Sequence, residues 1–453
     1  MKPNMNEIRL NPATGAIPIM PAYKQSLSQS DAEVGRKAVI AGSVGNALEW
    51  YDFTVYALFA VYIGQNFFKN DNPTVQLMGS FLAFGLGFIA RPLGALILGS
   101  YADRAGRKAA LTATIMLMAL GTLLIAVAPP YAAIGIGAPL LIVCGRVLQG
   151  FSAGGEVGTA TAFLVEHAPA DKKGQYASWL QASMGISNLL GAAVGTLVTT
   201  MLTPEQIGDW GWRIPFILGL AIAPVGMWMR SSLDETPHFK LEMKRQDQSG
   251  EQVKVPLLQV FRDCPRELLI GLCVCVLWAV GPYSLIIFMP VYVQKTMGFA
   301  AQQAFLAALI GNLFLIFGCV FSGSLSDRFG RKRLLTAGAT LLFIAVYPLM
   351  MWLRDSHTTF TLIVVQSTFC ALVSIFVGVA PAALSEIFPT RVRSTGMSLA
   401  YNTAVTIFGG FAPAILTWIT YTTGVAFAPA LYVMSAAVVA LIAINMLPKA
   451  SKT

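Results

Sequence analysis

Gly99-Ser-Tyr-Ala-Asp103-Arg104-Ala-Gly106-Arg107-Lys108 returns later in the chain as Gly323-Ser-Leu-Ser-Asp327-Arg328-Phe-Gly330-Arg331-Lys332. Extended to Ala113 and Ala337, the two copies share ten of fifteen residues at an offset of 224, about half of the 453-residue chain. One copy alone would pass for a generic glycine-rich basic loop. Two copies at half-chain spacing make the chain a duplication of one module. Each copy is a short charged run between long apolar segments. Such a run cannot lie in hydrocarbon, so each marks a tight turn at a membrane face.

Composition agrees with that reading. Soluble domains are about a quarter charged, whereas here 12% of residues are charged, 55% are hydrophobic and the mean hydropathy is +0.64. The first 35 residues contain several prolines and polar residues but no apolar stretch, which predicts a tail rather than a cleavable signal peptide. The six cysteines (Cys144, Cys264, Cys273, Cys275, Cys319, Cys370) fall mostly inside apolar segments. They read as small packing residues rather than disulfide partners or metal ligands.

Twelve candidate spans approach the ~20 apolar residues a crossing helix needs. They cover roughly 37–63, 76–101, 108–128, 136–165, 177–201, 212–230, 266–292, 301–325, 333–353, 359–385, 395–420 and 426–447. With the N-terminus inside, 24 of the 31 Lys and Arg fall in inside tails and loops. Three (Lys69, Lys295, Arg354) fall outside. That bias predicts both termini on the cytoplasmic side. It also accounts for the net charge of +9 as a topology signal, so nucleic acid is not expected as a partner. The expected organisation is a cytoplasmic tail at 1–35, bundles of six helices each at 36–232 and 263–448, a polar loop at 233–262 between them, and a tail at 449–453.

Ionisable residues at membrane depth are expensive and should face a cavity or a partner. Glu49 lies about twelve residues into the first span, ~18 Å deep at 1.5 Å per residue. Asn46, Glu49, Asp52 and Tyr56 recur at three- and four-residue spacing, which gathers them on one helix face. The fourth span carries Arg146, Gln149 and Glu156. Arg146 and Glu156 are ~15 Å apart along a straight helix and cannot pair directly. Arg91, near the inner end of the second span, is within snorkelling reach of the face, which predicts a gate or packing role. The second half has no acidic or basic residue at mid-membrane; it offers Tyr283, Tyr292, Asn312, Gln366, Ser374, Tyr401 and Asn402. Charge handling therefore belongs to the first half. Each polar residue has a plainer reading as a helix-packing contact.

Two motif matches fail on context. Gly85-Leu-Gly87-Phe-Ile-Ala90 follows no strand, so its glycines read as close helix packing rather than a dinucleotide site. Gly150-Phe-Ser152-Ala-Gly154 has the letters of a hydrolase nucleophile elbow but lies inside a helix, and the three histidines (His167, His238, His357) fall at span ends or in loops. No metal cluster or nucleophile–base set is found in the sequence, so neither enzyme nor cofactor is expected.

The duplicated loop, the two six-helix halves and Arg146-Val-Leu-Gln149-Gly150 resemble the major facilitator superfamily over residues 36–448. Gly45-Asn-Ala-Leu-Glu49-Trp-Tyr-Asp52-Phe, Gly150-Phe-Ser-Ala-Gly-Gly-Glu156, Gly211-Trp-Arg213-Ile-Pro-Phe and Leu233-Asp-Glu-Thr-Pro resemble its metabolite:proton symporter branch. The resemblance implies an all-α membrane protein of twelve helices, a central site near the bilayer midplane and alternating access. It implies a bacterial cytoplasmic membrane protein, expected to be monomeric, whose partners are lipid, a proton and a small molecule. Substrates of that branch include citrate, 2-oxoglutarate, shikimate, proline and betaine. Members handling betaine-type zwitterions often carry Lys where this chain has Arg146, so Arg favours a carboxylate. The leading expectation is proton-coupled uptake of a small organic acid. Osmolyte uptake by the same machinery and an exporter of the same fold are the alternatives.

On this expectation Arg146, Gln149, Asn46, Tyr56, Tyr283, Gln366 and Asn402 line the substrate site. Glu49 carries the proton, with Asp52 and Glu156 as alternates. Asp103, Arg104, Arg107 and Glu166 form a cytoplasmic gate, with Asp327, Arg328, Arg331 and Glu386 as the repeat-related copy and Arg91 nearby. The gate has a geometric basis: each loop lies at the same face as the end of its module's fourth helix, and Asp can accept from free N–H groups at a helix start.

Overall fold

A computed structural model of the chain describes residues 43, 46, 47, 49–105, 107–154, 156–166, 168, 169, 171–231, 256–389 and 392–447. Every described segment of regular structure is helical. That follows from the composition: segments this apolar, surrounded by lipid, must satisfy each N–H and C=O internally. Among the described residues, eight helices are long and apolar enough to cross a membrane, and Thr112–Val127, Gly137–Ala153 and Gly211–Ala221 are shorter apolar helices.

In chain order, residues 49–58 are helical and continue past a break at Phe59 into α1 (Ala60–Phe67). There follow α2 (Pro73–Ala105), α3 (Arg107–Val127), α4 (Gly137–Ala153), α5 (Glu156–Glu166), α6 (Lys173–Met201) and α7 (Ile214–Ser231). After residue 255 come α8 (Pro265–Pro282), α9 (Met289–Thr296), α10 (Ala301–Phe329), α11 (Arg331–Ser356), α12 (Thr359–Val377) and α13 (Ala380–Ile387). The chain closes with α14 (Arg393–Ala404), α15 (Ala412–Thr423) and α16 (Ala428–Met446).

The outer surface carries many large apolar side chains. Phe317 and Phe321 on α10 are 72% and 68% exposed, and Leu197 and Ile344 are exposed as well. Large side chains on this scale belong against lipid. The chain is a multi-pass membrane protein.

Besides the first span, with its break at Phe59, four expected spans are not simple rods. The fourth breaks at Gly154 into α4 and α5, where an added Cβ would lie 1.9 Å from the Arg91 carbonyl oxygen. The tenth breaks between α12 and α13, at Gly378 and Val379. The seventh passes through a π-helical segment at Tyr283–Ile287, and the eleventh through another at Val405–Gly410. Each π segment has a proline close by, Pro282 before the first and Pro413 after the second, which deletes a backbone donor and loosens the i→i−4 ladder.

Close crossings explain the glycine pattern. An added Cβ at Gly150 would stand 1.6 Å from the Gly87 carbonyl oxygen, so α4 lies directly against α2 and only hydrogen fits between them. In the second copy of the duplicated loop, Gly330 joins α10 to α11 at φ +91°, a conformation that disfavours side-chain-bearing residues. The parts before and after the 232–255 segment meet along three main lines: α6 on α10, α5 on α14, and α2 on α15.

Candidate functional site

The first helix is stitched to α6 by polar bonds. Asn46 Nδ2 donates to the Leu180 carbonyl (3.0 Å) and to Ser183 Oγ (2.8 Å), while its Oδ1 accepts from Trp50 Nε1 (3.1 Å). Ser187 Oγ donates to the Ala47 carbonyl, and Thr54 Oγ1 donates to Asn188 Oδ1 (2.6 Å). In a bilayer, where apolar burial no longer drives association, such bonds help hold helices together. Asn46, expected to touch substrate, is therefore engaged on both of its amide atoms by α6 and Trp50.

These bonds turn the opposite face of the first helix, with Asp52, Phe53 and Tyr56, toward α2, α3 and α4. Arg146 on α4 meets it there, fully buried. Its Nη1 donates to Gln149 Oε1 (2.6 Å), and Gln149 Nε2 donates to Thr122 Oγ1 (2.9 Å) and reaches Asp52 Oδ2 (3.5 Å). Thr122 Oγ1 also donates to Asp52 Oδ2. Arg146, Gln149, Thr122 and Asp52 thus form one continuous polar chain, with Gln149 holding the guanidinium and the carboxylate together without direct contact. The Arg146 guanidinium rests 4.4 Å from the Phe53 ring centroid, 4.6 Å from Tyr56 and 4.8 Å from Phe84. Its Nε and Nη2 have no hydrogen-bond partner among the described residues.

Arg91 does not lie where its sequence position implied. It is fully buried rather than reaching the membrane face. Its guanidinium sits 4.5 Å from the Phe88 centroid, 4.9 Å from Phe53 and 5.2 Å from Trp50. The reason is local: the α2–α4 crossing covers the helix on one side, and the rings of Trp50, Phe53 and Phe88 draw the side chain inward. Tyr283, on the π segment of the other half, packs on Phe88 (5.5 Å) and Trp50 (6.1 Å), and its hydroxyl is buried without a partner among the described residues.

The remaining expected site residues are placed differently. Tyr56 joins the cluster through its ring, while its hydroxyl donates to the Ser80 carbonyl (3.1 Å). Gln366 donates to the Leu285 carbonyl (3.0 Å), tying α12 to the π segment. Asn402 donates to the Gly154 carbonyl (2.8 Å), at the α4–α5 break. Glu49 is buried. The side chains of Glu156, Asp103, Arg104, Arg107 and Glu166 lie outside the described residues.

Three residues expected in the second copy of the gate lie together. Asp327 Oδ1 and Oδ2 accept from the backbone N–H groups of Gly174 (2.8 Å) and Gln175 (3.0 Å), the first turn of α6 in the other half. Arg331 Nη1 pairs with Asp327 at 2.7 Å, and its Nε contacts Glu386 at 3.2 Å. Arg328 is exposed and takes no part in these ion pairs. At the opposite end Asn72 Nδ2 donates to the Tyr421 hydroxyl (2.8 Å), and Gln302 Nε2 to Thr200 Oγ1 (3.3 Å). Between the two ends, Phe81 meets Phe288 across the halves at 5.6 Å. The halves are joined at both ends, with the charged cluster enclosed between them.

The family description Major Facilitator Superfamily matches residues 42–413, with a second match over 313–452. The chain belongs to the major facilitator superfamily. This facilitator is 35% identical over 406 residues to the citrate-proton symporter of Klebsiella pneumoniae, covering 90% of each chain. It is 33% identical over 412 residues to the proline/betaine transporter of Escherichia coli strain K12, covering 90% of this chain and 82% of the relative. Its fold is similar to that of the xylose transporter XylE from E. coli in a partially occluded inward open conformation. That TM-score is 0.74, at 17% identity, with 92% of this chain and 99% of the other covered. It is a membrane transporter and not an enzyme.

Sequence reasoning passed over Thr122, Trp50, Phe53, Phe84 and Phe88. Thr122 is one hydroxyl in an otherwise apolar helix. The rings are lost among the 27 phenylalanines of the chain. A buried arginine with no acidic partner one turn away was the available signal, since such a cation must find acceptors or aromatic faces elsewhere.

Proposed function

We propose that this facilitator is a proton-coupled symporter that imports a small organic acid by alternating access. Its substrate would be a di- or tricarboxylate such as citrate or 2-oxoglutarate. In this reading twelve helices cross a bacterial cytoplasmic membrane, and both termini and both duplicated loops lie inside. One observation carries it: Arg146 is fully buried, joined through Gln149 to Thr122 and Asp52, with two guanidinium nitrogens still free among the described residues.

An anion leaving water needs a cation, and a guanidinium can bind a carboxylate in a bidentate fork. Arg146 has the donors to do so. Asp52 is the carboxylate whose bonds reach Arg146, so Asp52 carries the proton, and Glu49 is the second candidate. With Asp52 ionised, the pair balances itself and binding an anion leaves one buried negative charge in excess. With Asp52 protonated, Arg146 is released to the substrate. Substrate and proton therefore favour one another, a reciprocity that follows from linkage. Counted over Arg146, Asp52 and the one carboxylate that Arg146 binds, the loaded and empty states are neutral and can pass between the two openings; the half-loaded state carries an unbalanced charge and is penalised.

The test is uptake into proteoliposomes under an imposed inward proton gradient, with labelled citrate, 2-oxoglutarate, proline and betaine supplied in turn. Gradient-dependent accumulation of a carboxylate supports the reading. Accumulation of betaine or proline alone replaces it with the osmolyte reading, which the 33% identical proline/betaine transporter keeps in view.

A further inference from the structure

Two buried cations, not one, face the same aromatic surface. The guanidinium carbons of Arg91 and Arg146 lie 4.9 Å and 4.4 Å from the centroid of Phe53, which caps their separation at the sum of those distances. Both side chains are fully buried. None of the three guanidinium nitrogens of Arg91, and only Nη1 of Arg146, has a hydrogen-bond partner among the described residues. Two like charges within that distance in a low-dielectric interior repel each other. Aromatic faces offset part of the cost of burying a guanidinium, but they supply no acceptors in the plane of the fork. The arrangement lacks what only an acceptor group can bring.

We propose that Arg91 and Arg146 together form a two-cation substrate site, which selects molecules carrying two carboxylates over those carrying one. This deepens the organic-acid reading and rests on it. The first carboxylate takes Nε and Nη2 of Arg146, and the second takes the fork of Arg91. Phe53, standing against both guanidinium groups, sets the spacing. Tyr283, in ring contact with Phe88 and carrying a hydroxyl without a hydrogen-bond partner among the described residues, closes the site from the opposite half.

The same geometry disfavours a zwitterion with one carboxylate and one ammonium. Trp50, Phe53, Tyr56, Phe84 and Phe88 are the faces that would cage such an ammonium, and each is covered by a guanidinium of the protein itself. A ligand cation would enter beside Arg91 and meet like charge.

The experiment compares binding of succinate, glutarate and 2-oxoglutarate with that of their monomethyl esters and of betaine. Affinities come from ligand-dependent thermal shifts of the purified full chain, at a pH where the acids are fully ionised. In the wild type each diacid should bind at least about tenfold tighter than its monoester, because the ester leaves a buried fork unmet. In Arg91→Gln that ratio should fall toward one. If Arg91→Gln does not fold, Arg91→Lys decides, since a point charge without the planar fork should lower the ratio severalfold. A wild type that binds monoester and diacid alike overturns the two-cation site, as does an Arg91 variant that folds and keeps the full ratio. In both cases the organic-acid reading survives. Binding of betaine with no binding of any acid overturns both.

Discussion

At the residue scale the two buried acids of the first helix have separable roles. Asp52 bonds to Thr122 and lies next to Gln149, which holds Arg146. Replacing Asp52 by Asn keeps shape and most hydrogen bonds but removes the protonatable group. Asp52→Asn should therefore abolish uphill accumulation while retaining exchange of preloaded substrate across the membrane. Glu49→Gln should reduce accumulation less. Counterflow and gradient-driven uptake, measured side by side, distinguish these outcomes; an Asp52→Asn protein that still concentrates substrate removes Asp52 from the proton path. Arg146→Lys should weaken binding on the order of tenfold or more through loss of the bidentate fork, and Arg146→Ala should lose uptake.

At the element scale the decisive contacts are where helices touch without side chains between them. Gly150→Val would place carbon where the Gly87 carbonyl oxygen lies, forcing α4 away from α2. Overpacking of this kind costs ~1–3 kcal/mol. It should lower the thermal stability of the purified protein and displace Arg91 and Arg146 together, so transport should fall further than stability. The latch on α6 is the second such contact. Asp327 accepts two backbone N–H bonds at the start of a helix from the other half, a charge-assisted arrangement that also complements the positive end of the helix dipole. Asp327→Asn should weaken that closure by roughly 1–3 kcal/mol and shift the population toward the form open at this end. Accessibility of a cysteine placed at Ser326 to a soluble thiol reagent reads the shift, and unchanged labelling would count against the latch. Arg213 plays a quieter part. It donates to the Ala126 and Ala128 carbonyls (3.1 and 2.8 Å) and so caps the end of α3.

For the whole molecule, alternating access requires that the two ends not be closed throughout the cycle. One end is held by Asp327 on α6, and the other by Asn72 with Tyr421 and by Gln302 with Thr200. Joining either end covalently should arrest transport. A cysteine pair at Asn72 and Tyr421, in a background without the native cysteines, should block uptake on oxidation and recover it on reduction. Transport at the wild-type rate with the disulfide formed would falsify opening at that end.

The all-helical fold was legible because a bilayer leaves the chain so little choice: apolar runs must be helices, and charged runs must leave the membrane. The duplicated loop carried the family for the same reason, since its glycine, aspartate and arginine meet a backbone requirement visible in Gly330 and Asp327. Much of the charge cluster was legible too, because Asp52, Arg146 and Gln149 stand out from their apolar surroundings by cost alone. The partners were not. Asn46 and Asn402 looked equally available as ligand groups, yet Asn46 is held by α6 and Trp50, and Asn402 donates to the Gly154 carbonyl. Arg91 looked close enough to the face to escape it, yet it turns inward onto three rings. Depth along a helix follows from residue counting. Direction around the axis, and which neighbour fills the space there, follow from the way glycines at Gly87, Gly150 and Gly154 bring helices into contact. That packing is a property of pairs of segments far apart in the chain, and no single segment contains it.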